Sequence, residues 1–180
     1  SGTVTDACSV KRRYLALWFP FLPTDRRRLE EAAAGGLPDT PLTLATKVRG
    51  ALRVCAVNEN AQALGIVPGL TLADARALHP GLAVAVMDED ADRHWLQRLA
   101  EHCLGWSPRV STMPPDGIIV DIAGSEHLFG GEAGLAAQAE ETFAAIGMSV
   151  RMAMASTAQG AQALARHARL PVMDERQALR

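Results

Sequence analysis

The order in which strand-length and helix-length segments alternate constrains this chain more than any single motif does. "YLALWF" (Tyr14–Phe19) is a continuous apolar run of strand length. Further on, Trp95, Leu96, Leu99 and Cys103 recur at helical spacing after Glu89, which predicts a helix to about Leu104. "PRVST" and "GIIVDIA" then read as strands joined by "MPPDG", whose Pro and Asp-Gly are turn residues. Leu135, Ala139, Phe143 and Ile146 mark a second helix, Met148–Met154 a further strand, and Thr157–Ala168 an Ala-rich last helix. Strand, helix, strand, strand, helix, strand is the order of a ferredoxin-like βαββαβ unit, an α+β fold. In that topology the first and second strands run parallel with the third between them. The end of the first strand therefore arrives beside the turn joining the second and third, and Leu17, Trp18 and Phe19 are expected next to Asp116 and Gly117.

Between the first strand and that helix lies a second pattern. "PTDRRRLEEAAA" opens on Pro and is rich in helix formers, and "LTLATKV" and "LRVCAVN" read as a hairpin around Gly50. "ENAQALG" and "TLADARALHPG" read as helices, the latter capped by Thr71 and stopped by Pro80, and "LAVAVM" as a strand. This is an inserted lobe.

Composition narrows the functional classes. With 180 residues, 48% hydrophobic and 21% charged, the chain buries a real core, and a net charge of −2 gives no overall positive field for nucleic acid. Two local basic clusters remain, Lys11, Arg12, Arg13 and Arg26, Arg27, Arg28; any DNA contact through them is expected to be weak. Cys8, Cys55 and Cys103 are odd in number and lack CxxC spacing, which argues against a disulfide framework or zinc ribbon and suits a reducing, cytoplasmic setting. The apolar run Tyr14–Pro23 is too short to span a membrane. His79, His94, His102, His127 and His167 have no metal spacing, "LFGGEAG" lacks the order of a phosphate-binding loop, and Asp121, Ser125 and His127 do not form a nucleophile elbow. No cofactor is expected.

At this point a resemblance becomes specific. "LALWFPFLPTDR", "NENAQALGIVPGLTLADARALHPGL", "DGIIVDIAGSEHLFGG" and "VRMAMASTAQGAQALARHA" together resemble the palm and fingers of a Y-family (DinB/UmuC-like) translesion DNA polymerase, most closely a divergent branch found in bacterial mutagenesis cassettes. The resemblance implies a palm at 13–21 and 84–168 and small fingers at 22–83. It leaves 1–12 as a tail whose Ser1-Gly2 start reads as a tag remnant, and 169–180 as the start of a thumb or the end of the expressed piece. It also implies a role in translesion synthesis and the SOS response. The implied partners are a RecA-like accessory protein, an error-prone C-family DNA polymerase and the sliding clamp, reached mostly through regions outside this chain.

The departures from active members all fall on charged positions. Those enzymes hold two metal ions with acids on the first strand and an Asp-Glu pair at the hairpin. Here the window Tyr14–Thr24 contains no Asp or Glu, so the first metal position has become Leu17 or Trp18, while Asp116 keeps the hairpin acid and Gly117 replaces its neighbour. The fingers Tyr and Arg that grip the triphosphate correspond to Glu59 and Gln62, and a palm Lys to Ala158. The resulting expectation is a non-catalytic module that binds neither metal nor nucleotide and serves as a protein-interaction platform. Asp116 is expected to act as a turn residue, so that Asp116→Asn changes stability by no more than about 0.5 kcal/mol. Trp18 and Phe19 are expected in the core, Asp121 as a structural acceptor, and Trp18→Asp with Gly117→Glu to restore some metal binding. Two alternatives stay open: an active polymerase with ligands relocated to Asp25, Glu59 or Asp121, and a ferredoxin-like regulatory domain, which would lack the inserted lobe.

Overall fold

The computed structural model describes residues 11–35, 40–167 and 172–174. Among the described residues fifteen elements follow one another; thirteen keep the expected order, and a 3₁₀ turn and a last strand are added to them. They are β1 (Tyr14–Trp18), α1 (Leu22–Ala33), β2 (Leu42–Val48), β3 (Ala51–Val57), α2 (Glu59–Ala63), α3 (Leu72–Leu78), β4 (Ala83–Val86), α4 (Glu89–Cys103), β5 (Val110–Met113), β6 (Gly117–Asp121), a 3₁₀ turn (Glu126–Phe129), α5 (Gly131–Ile146), β7 (Arg151–Ala155), α6 (Ala158–His167) and β8 (Val172–Asp174). They form two sheets, five strands in the order β5-β6-β1-β7-β8 and three in the order β3-β2-β4.

The larger sheet is the palm. β1 runs antiparallel to both β6 and β7, and β5 antiparallel to β6, so β1 and β5 run parallel with β6 between them. Strand alternation divides its faces. Leu15, Leu17, Ile118, Val120, Met152 and Met154 point to one side, where α4 and α5 bring Leu96, Leu99, Cys103, Leu135 and Phe143. Phe19 continues this core and meets Phe143 edge to face at 5.1 Å. On the opposite face Ala16, Ile119, Ala153 and Ala155 meet Ala161 and Ala165 of α6. Small side chains on both partners let this helix lie close to the sheet. The position of every residue along α6 is thereby fixed relative to β1.

The inserted lobe is organised by β2 and β3, whose hairpin turns through Arg49 (φ 51°) and Gly50 (φ 83°), two successive positive φ values of the kind a tight hairpin requires. Caps set the helix starts. Asn58, Thr71 and Asp88 accept from the backbone N–H groups of Ala61, Asp74 and Ala91 at the N-termini of α2, α3 and α4. β4 pairs in parallel with β2, so the small sheet runs to Val86, past the boundary at 83 read from the sequence. β8 adds a parallel edge strand beside β7, within the segment 169–180 assigned to a thumb or chain end. The first ten residues of the tail at 1–12, with Cys8, lie outside the described residues.

Two arginines expected on the surface are buried. Arg26 is 7% exposed and donates from Nε to Asp92 of α4 at 2.6 Å, with Glu30 at 2.5 Å on its other side. Arg13 is 8% exposed and grips Glu132 with two bonds of 2.7 and 3.0 Å. Each tie joins elements far apart in sequence, which is why a basic run alone did not reveal it.

Candidate functional site

The site is built where β1 ends against the β5–β6 turn. Trp18 is the register partner of Gly117, and the Phe19 N–H donates to the Asp116 carbonyl at 2.9 Å. This is the juxtaposition expected from the strand order. Alternation then separates the two candidate positions on β1. Leu17 is 1% exposed and belongs to the α4–α5 core, whereas Trp18 turns to the α6 face at the strand's end and is only half-buried. Trp18 therefore packs against the edge of the α6-face cluster without being fully enclosed, so only Phe19 of the two residues expected in the core is completely buried.

A side chain from α6 lies over the Trp18 ring. The Arg166 guanidinium lies 5.2 Å from the Trp18 ring centroid and donates to Asp116 Oδ1 at 3.2 Å. Trp18 Nε1 donates to Asp116 Oδ2 at 3.1 Å. Asp116 thus does more than form a turn: each carboxylate oxygen has a side-chain donor, from β1 and from α6. Beside it, Gly117 leaves little space, because a Cβ there would sit 3.2 Å from the Met113 carbonyl oxygen.

Of the three other carboxylates considered as ligands, Asp121 and Asp25 are engaged elsewhere, and Glu59 stands on α2 in the lobe. Asp121 stands at the far end of β6, paired with Tyr14, about 13 Å from Gly117 at ~3.3 Å per residue. There it accepts from the Ala123 N–H at 3.1 Å and pairs with Arg109 at 3.2 Å, the structural role expected of it. Asp25, in the first turn of α1, accepts from the Ser149 N–H at 2.9 Å. Burial pushes its carboxyl up to about 6 against the pull of that hydrogen bond, and the charge of Glu59 pushes the same way. Among the described residues no group of three or more His, Cys, Asp or Glu could hold a metal ion. The donor set does not fit a two-metal centre.

A cleft of about 710 Å³ opens over this hairpin between palm and lobe, lined among others by Trp18, Phe21, Gln62, Pro114, Asp116 and Arg166. Glu59 and Gln62 lie on α2, and Ala158 opens α6, half-buried against its small-residue cluster. Of the residues singled out for DNA contact, Lys11 and Arg12 are exposed. Arg27 and Arg28 pair with Glu31 at 3.4 and 3.5 Å, and Arg13 and Arg26 are withdrawn into the buried pairs already described. Arg166 is the residue that sequence reasoning missed. Its only local signal is an arginine following Ala161 and Ala165 in the last turn of an otherwise small-residue helix.

A five-stranded palm carrying an inserted three-stranded lobe, with a cleft over the β5–β6 turn, defines a polymerase-like class. The sequence matches the IMS family model, described as the impB/mucB/samB family, over residues 27–166, and the chain belongs to that family. β1, where the acids are missing, lies outside the matched stretch. More narrowly, the chain is 43% identical over 103 residues to "Protein ImuB" of Caulobacter vibrioides (strain NA1000 / CB15N), covering 57% of this chain and 22% of that protein. The figures are the same for "Protein ImuB" of strain ATCC 19089 / CIP 103742 / CB 15, so the match spans about a fifth of these relatives' length. Among solved structures, it superposes on the "Insertion ternary complex of Dbh DNA polymerase" with a TM-score of 0.77 at 14% identity, over 92% of this chain and 49% of that one. "DinB from Sulfolobus solfataricus" gives 0.72 at 16% identity over 92% and 49%. At these identities the likeness establishes the fold: a Y-family polymerase palm with fingers.

Proposed function

We propose that this chain is a non-catalytic polymerase-fold module, kept as a protein-interaction platform in error-prone translesion synthesis during the DNA-damage response. One observation carries the reading. Among the described residues, the β1 end and the β5–β6 turn contribute one carboxylate, Asp116, with Trp18 on the strand instead of an acid; the cleft's other acids, Glu89 and Asp92, come from α4, where Asp92 is already paired with Arg26. Two divalent ions about 4 Å apart need several converging carboxylates to offset their charge, and one does not suffice. The fingers support the same reading. Glu59 and Gln62 offer a triphosphate a negative charge and a neutral amide in place of a bidentate cation.

Similarity to Protein ImuB favours a cytoplasmic DNA-repair assembly in which a RecA-like accessory protein (ImuA-like), a C-family polymerase and the sliding clamp are the partners. The remaining length of such relatives would supply much of the contact. The test is primer extension with Mg²⁺ or Mn²⁺, alongside calorimetry with a deoxynucleoside triphosphate. No extension and no saturable Mg²⁺-dependent nucleotide binding at millimolar concentration is expected. Either activity would overturn the reading.

A further inference from the structure

We infer that Arg166 is the resident cation of this hairpin, its guanidinium taking at Asp116 the charge-balancing place that a divalent ion takes in a two-metal palm. This rests on the non-catalytic reading and adds a consequence: restoring carboxylates at positions 18 and 117 does not by itself restore metal binding, because Arg166 captures them first.

The geometry supports this from three directions. First, both oxygens of Asp116 already accept a donor, Oδ1 from Arg166 at 3.2 Å and Oδ2 from Trp18 Nε1 at 3.1 Å, so an incoming ion must compete with a bound donor at whichever oxygen it takes, and at Oδ1 with a full positive charge. Second, Arg166 is mounted on a rigid element. Ala161 and Ala165, at 0% and 1% exposure, seat α6 on the sheet, and the guanidinium also rests on the Trp18 ring at 5.2 Å. Third, an arginine stays charged at every relevant pH and carries a weakly held hydration shell, so it keeps its place beside a carboxylate without titrating away. The Asp116 side chain is 22% exposed and that of Arg166 48%, so the pair is partly shielded from solvent.

Trp18 and Arg166 therefore act together. The tryptophan that removed an acid from β1 also supplies the flat face on which the guanidinium lies. Trp18→Asp deletes that face but places a second carboxylate within the arginine's reach, and a planar five-donor fork readily serves two carboxylates. The expectation of some metal binding from Trp18→Asp with Gly117→Glu is revised accordingly.

The experiment measures free Mn²⁺ by electron paramagnetic resonance during titration of three proteins: the wild-type chain, Trp18→Asp/Gly117→Glu, and the same pair with Arg166→Gln. Wild type and the double variant are expected to leave Mn²⁺ free into the millimolar range, and the triple variant to bind it at least about tenfold more tightly than the double. A double variant binding Mn²⁺ as tightly as the triple overturns the inference. Because Gly117 is tightly placed, a stability cycle of Asp116→Asn, Arg166→Gln and their combination provides a second route that needs no new acid. The combination is expected to lose less than the two single losses added together, and strict additivity overturns the inference. Polymerase activity in the wild-type chain would remove the non-catalytic reading itself. An inert wild type with Mn²⁺ bound equally by both variants would remove only the role of Arg166.

Discussion

At the scale of single residues, the informative side chains are those whose charge is committed. Asp116 was legible as a turn residue from "PPDG", but the expectation that Asp116→Asn is nearly neutral came from the turn alone. An asparagine has one oxygen for two donors and turns an amide toward either Arg166 or the Trp18 N–H, so a coupled loss replaces that expectation. Asp25 behaves in the opposite sense. Its carboxyl is raised to about 6 by burial, so between the unfolded value near 4 and about pH 6 the folded chain holds more protons than the unfolded one. Stability contributed by this group is therefore present at low pH and falls as pH rises through 6. Asp25→Asn keeps an acceptor for the Ser149 N–H without the charge. It is expected to gain about 1–2 kcal/mol over wild type at pH 7.5 and almost nothing at pH 4, as read from urea denaturation at the two pH values. An equal effect at both would mean that Asp25 ionises normally.

Among the elements, α1 and α4 are joined by a buried ion pair. Arg26 and Asp92 meet at 2.6 Å with side chains 9% and 7% exposed, and burial pushes the Asp92 carboxyl up while Arg26 pulls it down. Removing one partner leaves a charge buried without its counter-ion. Arg26→Ala is thus expected to cost on the order of 3 kcal/mol, whereas Arg26→Met combined with Asp92→Leu should lie within about 1 kcal/mol of wild type. Chemical denaturation of both variants checks this; a mild Arg26→Ala would mean that water reaches the pair. The elements themselves were largely legible. Apolar runs and period-3.6 patterns, with Thr71 as a cap, mark β1, the β2–β3 hairpin, α4 and the β5–β6 hairpin, because these signals are written within about a turn or strand of sequence; the Asn58 cap of α2 was not read there. The partner of β4 was not. "LAVAVM" reads as a strand of the lobe whatever it pairs with, and only the structure gives its parallel register with β2.

For the whole molecule, the two basic clusters singled out in the sequence leave little surface to nucleic acid. Lys11, Arg12, Arg27 and Arg28 remain near solvent, the last two sharing Glu31, after Arg13 and Arg26 are drawn into buried pairs. Duplex DNA is expected to bind weakly and without sequence preference. The slope of log affinity against log salt should be no steeper than about −4, since each neutralised phosphate contributes ~0.9. Fluorescence anisotropy of a labelled 20-base-pair duplex across a KCl series measures it. A steeper slope would reveal a basic surface that these four residues do not supply.

The sequence by itself determined the order of elements, the palm topology, the meeting of β1 with the β5–β6 turn, and the absence of acids on β1. All of these depend on local patterning plus the few ways a βαββαβ chain can pair. Tertiary structure alone decided which side chain meets Asp116 and Trp18. Arg166 and Asp116 are fifty residues apart, and they meet only because small side chains let α6 settle close over β1 and β7 at one rotational setting. It likewise withdrew Arg13 and Arg26 from the surface. Such contacts depend on how rigid elements dock, and nothing in the neighbouring sequence of either partner records that docking.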